Sequence, residues 1–126
     1  MKSGIKLCVL GGSIMIAVLC FSGCHSRGGS AKEIADGRRL YLSYGCGACH
    51  GMDGHGDGPA AASLKVAPRD FHHSRSFRGD RTVEAVSRTI AEGFRGGVMP
   101  ASPFIGKDER RLIAIYVLSL ADRSGS

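Results

Sequence analysis

Residues 45–51 read GCGACHG, which sets Cys46, Cys49 and His50 within five positions. On a helical turn, positions i, i+3 and i+4 project from one side, so both thiols and the imidazole face the same way. Such a group can close a disulfide, join a metal knuckle or clamp a haem. A closed zinc site needs four ligands, and Cys46, Cys49, His50 and His55 would crowd them into ten residues without a second knuckle. A redox dithiol of the thioredoxin type needs a βαβ setting, for which the chain has no strand signal. C-x-x-C-H is the spacing of covalent haem attachment. The thiols add across the two vinyl groups as thioethers, and His50 is delivered to the iron through Nε2. Gly47 and Ala48 are small enough for a porphyrin to lie against them.

The N-terminus bears on the choice. Lys2 and Lys6 precede an uncharged run of 18 residues, Leu7 to Cys24, with small residues at its exit. A charged start, an apolar middle and a small-residue end make an export signal, and the run is just long enough to span a membrane instead. The exit Phe21-Ser22-Gly23-Cys24 resembles the lipobox of bacterial lipoproteins, in which the cysteine is lipidated and becomes the first residue. Cys24 is therefore the lipidation candidate; an uncleaved anchor or an ordinary cleavage site is the alternative. Two or more acyl chains suffice for stable attachment. The expected organisation is a signal or anchor over 1–23, a Gly/Ser-rich tether over 24–30, one domain over 31–122 and a tail over 123–126. The domain is expected on the periplasmic side of a bacterial membrane. Cys8 and Cys20 fall inside the apolar run, so only Cys46 and Cys49 belong to the domain.

Without Lys2 and Lys6, 15 Lys and Arg face 11 Asp and Glu, a modest positive balance. Arg69, Arg75, Arg78, Arg81, Arg88 and Arg95 alternate with Asp70, Asp80, Glu84 and Glu92. That is a solvated surface and not a nucleic-acid stripe.

Helical periodicity predicts three helices. The first runs from Ala31 to Tyr44, with Ile34, the stem of Arg38 and Tyr41 on one face. The second runs from Thr82, its cap, to Glu92, with Val83, Val86 and Ile90 as its apolar stripe and Gly93 as its stop. The third starts near Gly106, carries Asp108 and Glu109 against its N-terminal dipole, and buries Leu112, Ile113, Tyr116 and Leu120 before ending at Ala121-Asp122. Between them lie long loops; residues 45–59 alone hold six glycines, and 60–81 read as loop with a short helical turn. Three helices, no Trp and loops of this length cannot build a core unaided. A large apolar cofactor would fill the middle.

A haem iron with histidine on one side needs its other side explained. His/Met ligation suits electron transfer, whereas an open position suits ligand binding or catalysis. Met99, 49 residues beyond His50, lies in a loop after Gly96 and Gly97. Pro100 biases it toward extended backbone. It is the candidate sixth ligand; a core-filling methionine or bis-histidine ligation through His72 or His73 are the alternatives. Met52 is too close to His50 to reach the opposite face. His55, between Asp53 and Asp57, reads as an exposed loop residue.

Four segments in order, GRRLY, CGACHG, VMP and ERRLIAIYVLSL, together resemble class I monohaem cytochromes c of bacterial periplasmic or membrane-anchored type, over nearly all of 31–122. The resemblance implies an all-α fold of three to five short helices with long Gly-rich loops wrapped around one covalently bound haem c. It implies covalent attachment at Cys46 and Cys49 and axial iron ligands His50 and Met99. Gly37 and Tyr41 are implied to cross the last helix at Ile113 and Tyr116. In the family a proline carbonyl accepts from the axial histidine's Nδ1; Pro59 is the candidate here and Pro68 the alternative. The function implied is one-electron transfer between redox donor and acceptor proteins, with no small-molecule substrate and no nucleic acid. A haem-bearing subunit of a larger oxidoreductase complex is the second reading, and a ligand-binding or peroxidase-like haem protein the third.

Overall fold

The computed structural model describes residues 28–77, 80–94 and 99–123. The expected signal or anchor, Cys24, most of the tether, Gly96, Gly97 and residues 124–126 lie outside the described residues. Among the described residues the regular elements are helices alone: α1 Ala31–Ser43, α2 Gly47–His50, α3 Val83–Glu92 and α4 Lys107–Arg123. Short 3-10 turns at Ala61–Ser63 and Ser74–Ser76 punctuate the loop expected to hold one. None of these helices is long and apolar enough to cross a membrane.

Ser30 starts α1 through a reciprocal cap. Its Oγ accepts from the Glu33 amide at 3.3 Å, and its own amide donates to Glu33 Oε2 at 2.9 Å. The pairing satisfies two amides that a helix start otherwise leaves bare. Arg111 of α4 reaches the second oxygen of Glu33 at 3.0 Å, so the cap also staples α1 to α4. These donors, the Ser30 amide first and Arg111 next, hold the Glu33 carboxyl at about 2.

The two long helices meet at Gly37. A Cβ there would run into the Leu112 carbonyl and Tyr116 Cβ, so only glycine lets the backbones approach this closely. One turn on, Tyr41 packs edge-on to Tyr116 with ring centroids 5.3 Å apart. Tyr41 and Ile113 are the most completely buried large side chains described. The buried face of α1 is Gly37, Leu40 and Tyr41. Arg38, expected to lay its stem there, is exposed and pairs with Asp53 at 3.4 Å; Leu40, three residues past Gly37, packs in its stead.

The burial of α4 is wider than a stripe. Every residue from Ile113 to Ala121 is buried, because α1 and α3 both pack on this helix and Gly29 lies against Ile115. Thr82 caps α3 as expected, accepting from the Ala85 amide at 3.1 Å. Ile90 is its buried anchor, and Phe71 and Ile105 complete the core from the loops.

Candidate functional site

A four-residue helix has no stability of its own, since nucleation costs more than so few bonds return. The surroundings of α2 supply the rest. The Gly47, Ala48, Cys49 and His50 carbonyls would be left bare at its C-terminal end. They accept from the amides of Gly51 (2.9 Å), Ala60 (2.9 Å), Gly58 (3.1 Å) and Gly56 (2.8 Å) respectively. The loop that looks structureless in sequence is thus a cap folded back over the turn that carries the cysteines. Its closest approach is at Gly58, where a Cβ would strike the Ala48 carbonyl. The next carbonyl, Gly51, accepts from the Tyr41 hydroxyl at 2.7 Å. That buried phenol, its pKa pushed up by burial, joins the α1–α4 crossing to the site.

Cys46 and Cys49 are unbridged and half-buried. Burial pushes the Cys46 thiol up, so it is held as a neutral thiol. His50 is also half-buried, and its Nδ1 lies 3.1 Å from the Arg69 carbonyl oxygen. A carbonyl only accepts, so Nδ1 carries the proton and Nε2 keeps the lone pair. Burial lowers the pKa of the ring, which favours this neutral form. Phe71 stacks on the imidazole at 4.5 Å and 22° and fixes its plane.

The acceptor differs from the expectation. Neither Pro59 nor Pro68 serves His50; Arg69, the residue after Pro68, does. Pro59 is exposed in a tight turn, where the Gly58 carbonyl accepts from Ala61 at 2.8 Å. Its fixed φ suits the second position of such a turn. Phe71 and the Arg69 carbonyl carry no signal in sequence: one is an apolar residue in a polar loop, the other a backbone atom. Pro68, marking extended chain just before Arg69, was the nearest hint.

Met99 is half-buried and packs against the core cluster, as do Cys46, Phe77 and Val86. Its carbonyl accepts from the Phe94 amide at 3.2 Å. Arg69 and Arg81 both stand over the Phe77 ring, at 5.5 and 5.8 Å from its centroid. His55 and His72 group elsewhere: His72 Nε2 lies 2.8 Å from the Asp53 carbonyl oxygen, and its ring stacks on His55. A groove of about 480 Å³ lined by Ile34, Arg38, Asp53, His72, Tyr116 and Leu120 contains none of Cys46, Cys49, His50 or Met99.

The donor set fits a c-type haem. Two thiols and an imidazole sit on one turn, and the imidazole's free lone pair is on the nitrogen farther from the backbone. The comparisons agree. The sequence profile of the cytochrome c family matches residues 34–121. A solved chain from the reducing HAO-like protein complex of Kuenenia stuttgartiensis is similar at 30% identity with a TM-score of 0.65, over 72% of this chain and 44% of that one. This chain therefore spans less than half the length of that relative. No curated protein matches the chain significantly.

Proposed function

The chain belongs to the cytochrome c family, and from that premise we propose that it is a one-electron carrier. The haem c that the family binds covalently supplies a one-electron iron centre. Cys46 and Cys49 would hold it through thioethers, with His50 and Met99 as the axial pair. The observation that carries this reading is the His50 ring, whose Nδ1 is committed to the Arg69 carbonyl at 3.1 Å. That bond orients the ring and keeps the lone pair on Nε2, the arrangement that a histidine ligand needs. Phe71 keeps water from one face of the ring and Tyr41 ties the turn to the helix crossing. Both oxidation states would then meet the same rigid proximal side, which keeps reorganisation small. The half-buried Met99, packed on the same core as Cys46, supports His/Met ligation, which raises the reduction potential.

The carrier works at a membrane surface on the periplasmic side, tethered through Cys24, between redox donor and acceptor proteins. The charged start, the uncharged run and the Ser22-Gly23-Cys24 exit support this placement. A Cys24→Ser variant is expected to lose the lipid mass and leave the membrane fraction; unchanged mass and attachment would exclude lipidation. For electron transfer, a potentiometric titration should give one reversible one-electron wave. Irreversible behaviour with rapid peroxide turnover would contradict it.

A second reading is favoured by one observation. The similar solved chain comes from a protein complex, so the domain can equally serve as a fixed haem subunit of a larger oxidoreductase. Mild detergent extraction followed by size analysis separates the two: comigration with partner chains supports the subunit, and a monomeric haem peak the free carrier.

A further inference from the structure

The Phe71 amide donates to the Gly54 carbonyl at 2.8 Å, pinning two loops that are distant in sequence. The residues flanking this bond are His55 on one strand of chain and Asp70 and His72 on the other. One nitrogen or oxygen from each of these three side chains lies within 4.8 Å of the other two. We propose that His55, Asp70 and His72 form a binding site for a single divalent transition-metal ion of the zinc or copper class.

The geometry is partly prepared. His72 Nε2 lies 2.8 Å from the Asp53 carbonyl oxygen, which only accepts, so the ring's lone pair is on Nδ1. Ligating histidines are oriented by this kind of bond from the other ring nitrogen. The Asp70 carboxylate is held by the His72 amide at 2.9 Å, and the Asp70 carbonyl accepts from Ser76 Oγ at 2.6 Å. An accepting carboxylate oxygen keeps a second lone pair for an ion. His55 stands with Nδ1 3.7 Å from Asp70 Oδ1 and its ring stacked on His72 at 4.0 Å and 12°. Ligands of a tetrahedral zinc lie about 3.4 Å apart. In the stack the two rings' in-plane lone pairs run side by side, so ligation by both requires the His55 ring to swing out of the stack about its side-chain torsions. That side chain is 53% exposed and able to move.

Ligand chemistry sets the metal class. Two imidazoles with one carboxylate suit zinc, copper or nickel, whereas calcium and magnesium prefer all-oxygen shells. Water would fill the open position, and ions enter from solvent past His55. His73 Nε2 lies 3.5 Å from the other Asp70 oxygen and is 76% exposed; it is a neighbour of the site and not one of the three. None of the three is a proposed haem ligand, although Asp70 lies between Arg69 and Phe71, which position His50; the metal does not depend on the axial pair proposed above.

The test is calorimetric titration of Zn²⁺ into the haem-loaded full chain, whose Cys46 and Cys49 are then blocked as thioethers. One saturable equivalent is expected. His55→Ala and Asp70→Asn should each weaken it about tenfold or more, while leaving the Soret spectrum intact, and His73→Ala should leave it unchanged. With Cu²⁺ as the probe, electron paramagnetic resonance should show splitting from two nitrogens in the wild type and one in His55→Ala. Absence of saturable binding, binding indifferent to both variants, or loss confined to His73→Ala would overturn the assignment.

Discussion

Among the described residues, the surroundings of the two proposed axial ligands are held in contrasting ways. On the His50 side, each of the last four carbonyls of α2 has an amide donor from the chain, and the ring itself is fixed by Arg69 and Phe71. On the Met99 side, the described bonds are the Phe94 amide to the Met99 carbonyl and, one turn of loop later, the Ser102 amide to the Ile90 carbonyl at 2.9 Å. The His50 ring is therefore oriented by protein contacts, the Arg69 carbonyl and the Phe71 ring. Met99 packs half-buried against the core, and in the proposed His50/Met99 pairing the iron–sulfur bond would complete its placement. Stability should follow the proximal side, and ligand exchange the distal one.

The largest effect expected from breaking this asymmetry is at Phe71, a buried core residue that also stacks on His50. Phe71→Ala should cost about 3–5 kcal/mol in denaturant unfolding and shift the haem spectrum. A loss below about 1 kcal/mol would show that the proximal side is not the rigid one. Tyr41→Phe comes next. It strips the donor from the Gly51 carbonyl but keeps the ring packing, so about 1–3 kcal/mol should be lost. The exposed Pro100, beside Met99, supplies the distal counterpart: Pro100→Ala should change stability by no more than about 0.5 kcal/mol, while altering the rate at which an external ligand displaces Met99.

The smallest effect lies outside both loops, at Glu33. Its carboxyl falls from an ordinary 4.5 to about 2 in the folded chain, through the Ser30 amide first and Arg111 next. A depressed folded pKa means that the unfolded chain binds more protons as the solution is acidified. The contribution is therefore present above pH 4.5 and lost as pH falls toward 2. Unfolding curves of wild type and Glu33→Gln should differ at neutral pH and converge through that window. Curves separated by the same amount at pH 2 and pH 7 would contradict the cap.

Much of this molecule is legible from residue types alone. Cys46, Cys49 and His50 announce their chemistry because three side chains share one turn. The Thr82 cap and the three long helices follow from local rules of capping and period. Gly37 and Tyr41 are legible through resemblance, and the structure supplies the reason: two backbones in contact, then an aromatic edge. What escaped is carried by backbone atoms and by loop closure. The acceptor for His50 is a carbonyl of Arg69, and any residue could furnish one. The GMDGHGDG stretch reads as a glycine-rich loop, yet its amides cap α2, a role that no side chain records. The same loop closure brings His55 beside Asp70 and His72, although in sequence His55 looks like an isolated polar residue.

The most direct test of the His50/Met99 pairing is the absorption spectrum of the oxidised haem-loaded chain. A long-wavelength sulfur-to-iron charge-transfer band should be present in the wild type and absent in Met99→Ala, with the reduction potential lowered in the variant. A high-spin wild-type spectrum without that band, together with rapid CO binding to the reduced form, would contradict a closed electron-carrying site.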